Sequence, residues 1–103
     1  MENIIRTIIN NWDPINLFPA APDNEYQAEI KAICSFINSN KNDDANALGR
    51  KIREVFIDSF GNDVFLKTLK QCEDIACKMN LLLAEIQLDY MRSPEGKSGT
   101  SMT

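Results

Sequence analysis

Phe65-Leu66-Lys67-Thr68-Leu69-Lys70-Gln71-Cys72-Glu73-Asp74-Ile75-Ala76-Cys77-Lys78-Met79-Asn80-Leu81-Leu82-Leu83-Ala84-Glu85-Ile86 is the stretch whose reading decides the fold class. Phe65, Leu69, Cys72, Ala76, Met79, Leu83, Ile86 and then Tyr90 alternate steps of four and three, the repeat of one helix face. Leu66, Ile75, Leu82 and Met91 widen that face. The pattern predicts one helix over residues 63–90, about 42 Å long at 1.5 Å per residue. No other element is as long, so one end should project, kink or pack on a second copy.

Upstream of this stretch the same period recurs three times. Leu48, Ile52, Val55, Phe56 and Ser59 predict a helix over 44–59. Gly49 within it costs about 1 kcal/mol relative to alanine, and it lets a neighbour approach closely. Gly61 fits a left-handed helix end, and Asn62 can cap the next helix. Tyr26, Ile30, Ile33 and Ile37 predict a helix over 23–39, with Asp23 as N-cap and an acidic first turn. Residues 38–44 are polar and read as a turn. Ile4, Ile5, Ile8 and Ile9 predict a helix over 2–11, although isoleucine runs also suit strands. Pro14 restricts Asp13 and ends that helix.

The expected fold is therefore all-α, a compact bundle of about four helices with a long ordered loop after the first. A single helical domain over 1–92 is expected. Residues 93–103 carry almost no core residue and read as a disordered tail.

Length and composition set the outer bounds. At 103 residues the chain holds one domain. The net charge of −4 argues against nucleic acid or an anionic membrane as a direct partner and favours a basic protein. Met1-Glu2-Asn3-Ile4-Ile5-Arg6 lacks the basic region and apolar run of a signal peptide, and no apolar stretch reaches the ~20 residues of a membrane span. A cytoplasmic location is the expectation. Cys34, Cys72 and Cys77 are odd in number and fit free thiols. Cys34 and Cys72 read as core, and Cys77 lies off the apolar stripe.

Little in the chain suggests catalysis. Histidine is absent, which removes the commonest general base and the commonest transition-metal ligand. Cys72 and Cys77 point ~140° apart on a helix, away from a shared metal. Gly96-Lys97-Ser98 lacks the upstream glycines and the strand of a phosphate loop. No cofactor and no metal site is expected. Glu25 and Glu29 are one helical turn apart, and Asp13 could approach them, which would allow acid–base work or a magnesium site. The simpler account of these carboxylates is capping and a solvated face.

Binding is the better prospect, and the connection after the first helix is where it concentrates. The only tryptophan and three of the four prolines lie between Trp12 and Pro22. Trp12 reads either as a partial core residue or as an interface anchor. Trp12, Asp13, Asp23, Glu25 and Glu29 form the candidate partner-binding set. Arg50, Lys51 and Arg53 form a second candidate surface, with a solvated face as its plainer reading.

Trp12-Asp13-Pro14-Ile15-x-Leu17, then Pro22-Asp23-Asn24-Glu25-Tyr26-x-x-Glu29-Ile30, then Val55-Phe56-x-x-x-Phe60-Gly61, resembles a family of small uncharacterised bacterial proteins. Its pattern runs W-D-P-x-x-L, P-x-D-E-Y-x-x-E-I and V-F-x-x-x-F-G. The resemblance covers residues 4–61, and Asn24 departs from the acidic residue often found there. It implies a compact helical fold and no catalytic assignment. Some members look like immunity proteins against toxins passed between bacteria. The resulting expectation is a non-enzymatic protein-binding domain, an immunity protein for a nuclease-type toxin, whose basic surface an acidic partner would cover. The alternatives are a homodimeric structural or regulatory protein built on the fourth helix, and a magnesium-dependent phosphohydrolase.

Overall fold

The computed structural model describes residues 1–22, 24–39 and 44–96, with side chains through residue 86. Four helices follow one another: α1 (Glu2–Trp12), α2 (Gln27–Ser39), α3 (Ala45–Phe60) and α4 (Leu69–Gly96). No strand occurs among the described residues. The chain is all-α, as the periodicities require. Each helix packs on the next, and α4 returns to α1, closing a four-helix arrangement.

Each helix buries the stripe its spacing marks. Ile5, Ile8 and Ile9 of α1, Ile30 and Ile33 of α2, Leu48, Ile52 and Phe56 of α3, and Cys72, Ala76 and Met79 of α4 meet in one core. Tyr26, just before α2, and Phe65, between α3 and α4, complete it. At the centre the rings interlock. Phe56 stacks on Phe65 at 5.2 Å and on Phe60 at 6.1 Å, and meets the edge of Tyr26 at 5.7 Å. Such pairs each contribute about 0.5–1.5 kcal/mol beyond the area they bury.

Gly49 is where α3 and α4 come closest. A Cβ there would lie 2.9 Å from the Cα and 3.0 Å from the backbone nitrogen of Glu73. A backbone cannot retreat as a side-chain tip can, so this crossing depends on glycine. Between α1 and α2 the tie is polar. Arg6 donates to Glu2 at 2.7 Å and also to Gln27 Oε1, while Gln27 Nε2 donates to Glu2 at 2.9 Å. Bonds from Gln27 and Arg6 hold the Glu2 carboxyl below its ordinary pKa.

Several expected boundaries move. The long helix has the expected 28 residues but begins at Leu69 rather than Asp63. Its start is fixed by Thr68 and Gln71, which cap one another: the Gln71 amide donates to Thr68 Oγ1 at 3.1 Å, and the Thr68 amide donates to Gln71 Oε1 at 2.8 Å. This reciprocal pairing satisfies two amides that a helix start otherwise leaves open. Asn62 therefore does not cap α4; the chain instead turns at Gly61, whose carbonyl accepts from the Phe65 amide at 2.9 Å. At the other end α4 continues through Ser93 to Gly96, inside the segment expected to be a tail. The remainder, residues 97–103, lies outside the described residues.

The second helix starts at Gln27 instead of Asp23, with Asn24–Tyr26 in a turn. The third starts one residue later than expected, at Ala45, where Asp44 is its N-cap and accepts from the Ala47 amide at 3.0 Å. Gly61 ends α3 at φ 88°, a conformation in which a Cβ is strained.

Candidate functional site

Asp13 organises the long connection. It ends α1 in the left-handed conformation, φ 47° and ψ 62°, with its amide bonded to the Ile9 carbonyl. Aspartate is among the few non-glycine residues that accept this region readily. From there its carboxylate reaches forward along the chain. Oδ1 accepts from the Leu17 amide at 2.8 Å and from the Tyr26 hydroxyl at 2.7 Å, and Oδ2 accepts from the Phe18 amide at 3.0 Å. The Ile15 amide donates to the Tyr26 oxygen at 3.4 Å. One carboxylate thus satisfies two loop amides that no secondary structure serves, and it joins the loop to the root of α2. Burial pushes the Asp13 carboxyl up, but the bonds from Tyr26, Leu17 and Phe18 outweigh it and hold the group below its ordinary value. Burial first, and then the bond to Asp13, push the Tyr26 hydroxyl well above its ordinary range.

Of the five residues proposed to meet a partner, the four that are described do not form one surface. Trp12 is half-buried and sets its ring edge-on against Phe56 at 6.1 Å and Phe65 at 6.0 Å. Its partners are core rings, so the core reading of Trp12 describes its contacts and the anchor reading does not. Asp13 is committed to the internal bonds above. Glu29 is 6% exposed and turned inward, and its Oε1 has no hydrogen-bond partner among the described residues. Glu25 is exposed in the turn before α2. Because the helix has not yet begun at Glu25, the one-turn spacing that would align it with Glu29 does not apply. Glu25 faces solvent while Glu29 is buried, and the paired-carboxylate arrangement is absent. Asp23 lies outside the described residues.

The second set is more open. Arg50 and Arg53 are exposed on α3. Lys51 is half-buried, 5.9 Å from the centre of the Phe36 ring and 3.4 Å from Glu54. A cation over a ring at such a site contributes about 0.5–1 kcal/mol, which gives Lys51 a role within the fold.

A feature that no sequence motif marks lies beside the Asp13 loop. A shallow open groove of about 360 Å³ runs between Pro14, Ile15 and Asn16 on one side and Val64, Leu66, Lys67 and Gln71 on the other. Val64 is 48% exposed, Leu66 75% and Leu69 39%. These side chains rise from the short connection between α3 and α4 and from the first residue of α4. Leu66 fits the apolar stripe of the long helix only if that helix begins at Asp63. Once Thr68 and Gln71 set the start, Leu66 is released to solvent. The T-x-x-Q capping signature of residues 68–71 was the signal that could have found this.

Comparison with known proteins places the chain. The model of a family described as a domain of unknown function, DUF1871, matches residues 4–86. The chain belongs to that family. The match includes α4 as far as Ile86, whereas the motif resemblance stops at Gly61. No curated protein and no solved structure matches the chain.

With no histidine in the sequence, the groups of this DUF1871 domain that titrate nearest neutral pH are its carboxylates and thiols. Burial raises the Cys72 thiol to about 11 and pushes Cys34 above its ordinary value, so both are protonated at neutral pH and pack as small apolar groups. Cys77 is exposed. Among the described residues, no three His, Cys, Asp or Glu side chains converge as a metal site would need. No helix among them is long and apolar enough to cross a membrane.

Proposed function

We propose that this domain is a non-enzymatic protein-binding module that takes its partner at the groove between the Asp13 loop and the α3–α4 connection. The observation that carries the proposal is the exposure of Val64 and Leu66, which line the groove. An apolar side chain three-quarters exposed gains nothing for the folded monomer, and clustered ones mark contact surfaces. Pro14 is buried and Asn16 is fixed at φ 61°, so the loop side of the groove is rigid. A preformed wall lowers the ordering cost of binding. Lys67, Gln71 and Asn16 supply the polar rim.

The net charge of −4 and the motif resemblance favour a basic partner, and the immunity protein of a nuclease-type toxin is the specific version of this reading. Exposed Glu25 and Asp63 would then steer encounter, while the apolar cluster sets the lifetime of the complex. The test is calorimetric binding of the purified domain to any secreted toxin domain encoded beside it. Binding by the wild type that Leu66→Asp abolishes supports the reading. Binding that survives both Leu66→Asp and Val64→Asp removes the groove from it, and failure to bind any neighbouring product removes the immunity version.

A further inference from the structure

The face of α4 turned away from the bundle carries a second pattern. The core stripe of this helix is Cys72, Ala76 and Met79, flanked by half-buried Ile75, Leu82 and Leu83. Roughly opposite, at about 100° per residue, lies an exposed line of Cys77, Leu81 and Ala84. Leu81 is 67% exposed. The steps of four and three along this line are those of a helix–helix seam. Lys78 and Glu85 border it on one side, two turns apart, and both are exposed. Neither forms an ion pair among the described residues.

We infer that two copies of the chain pack α4 against α4 in antiparallel orientation, about a two-fold axis beside Leu81. Charge chooses both the occupant and the direction. An antiparallel copy sets Lys78 against Glu85 of the second copy and Glu85 against its Lys78, two complementary pairs from one symmetry operation. A parallel copy, whose two-fold runs along the helices, sets the Lys78 and Glu85 flanks on opposite sides of the seam, so neither charge meets its complement. The small side chains of Cys77 and Ala84 permit close approach, and Leu81 supplies the apolar contact at the axis. Exposed ion pairs contribute little affinity, so their part is to fix direction while Leu81 and Ala84 hold the copies together. This surface lies on α4 beyond the groove and does not depend on the function proposed for it.

Light scattering across micromolar concentrations tests the pairing. The wild type is expected at twice 11.7 kDa, and Leu81→Lys at the monomer mass, with wild-type helix content by circular dichroism and a thermal midpoint that no longer rises with protein concentration. Lys78→Glu and Glu85→Lys should each weaken the dimer by at least about tenfold, because each creates two like-charge contacts. The two together should restore it. Oxidation gives a direction-sensitive reading. In the antiparallel pair the Cys77 residues lie roughly 13 Å apart along the axis, too far for a disulfide, whereas Leu81→Cys in a Cys77→Ser background should cross-link. A monomeric wild type overturns the inference, as does a dimer indifferent to Leu81→Lys. Failure of the double charge swap to restore association, ready cross-linking through Cys77, or loss of the dimer in Leu66→Asp would each overturn it as well.

Discussion

The two connections that flank the core treat polarity in opposite ways. Residues 13–26 turn a carboxylate and a tyrosine hydroxyl inward and bind them to the loop's own amides. Residues 61–68 turn Phe65 inward and leave Val64 and Leu66 in solvent. The first connection is rich in unusual residues and uses most of them to hold itself in place. The α3–α4 connection is ordinary in composition, yet it exposes side chains that the fold does not need. A conspicuous motif can thus be an architectural one, and the better evidence for a contact surface is apolar area that folding leaves uncovered.

Substitutions at five positions would break or sharpen this contrast. Trp12→Ala should have the largest effect, about 3 kcal/mol, because it removes the ring that joins the end of α1 to Phe56 and Phe65. At roughly 4–8 °C per kcal/mol for a domain of this size, its melting point should fall by more than ten degrees. Normal melting would show that the first connection is not architectural. Asp13→Ala should follow at about 2–3 kcal/mol, since it strands two amides and a hydroxyl at once.

The pH dependence should carry the same signature. The folded-state pKa of Asp13 lies below its ordinary value, so its stabilising contribution is complete above the unfolded pKa of about 3.9 and is lost as pH falls through the folded value. Glu2 behaves in the same sense. Chemical denaturation between neutral pH and strong acid should show a shallower loss in Asp13→Asn than in the wild type, and shallower again when Glu2→Gln is added. Tyr26 is raised, so its contribution is complete below about pH 10 and is lost at higher pH. Tyr26→Phe should flatten the alkaline limb.

Leu66→Asp should change stability least, by no more than about 0.5 kcal/mol, as expected of an exposed position that makes no buried contact. A drop of several degrees in its melting point would show that Leu66 packs on the fold and would end the contrast between the two connections.

The helices were legible because each buries a stripe with its own period, and Gly49 and Gly61 were readable as close approach and stop. The start of α4 was not, because Phe65 falls on the helical spacing while belonging to a turn. A core contact and a helical position produce the same sequence signal there, and only the Thr68–Gln71 cap separates them. The candidate residues divide for a related reason. Asp13 lies inside because an aspartate after a helix can collect the amides of the turn beyond it, whereas Glu29 falls where a solvated face is the ordinary reading of a carboxylate and is buried without a partner for its Oε1 among the described residues. Glu25 stays outside, and the groove rests on residues that no motif singles out.

Trp12 has one more consequence. It is the only indole in the chain, and its ring touches one phenylalanine on α3 and another on the α3–α4 connection. Its emission therefore reports on a single junction of three segments, one wall's thickness from the groove. A ligand seated against Val64 and Leu66 would be felt through Phe65, giving a label-free optical readout of occupancy in a protein that needs no added dye.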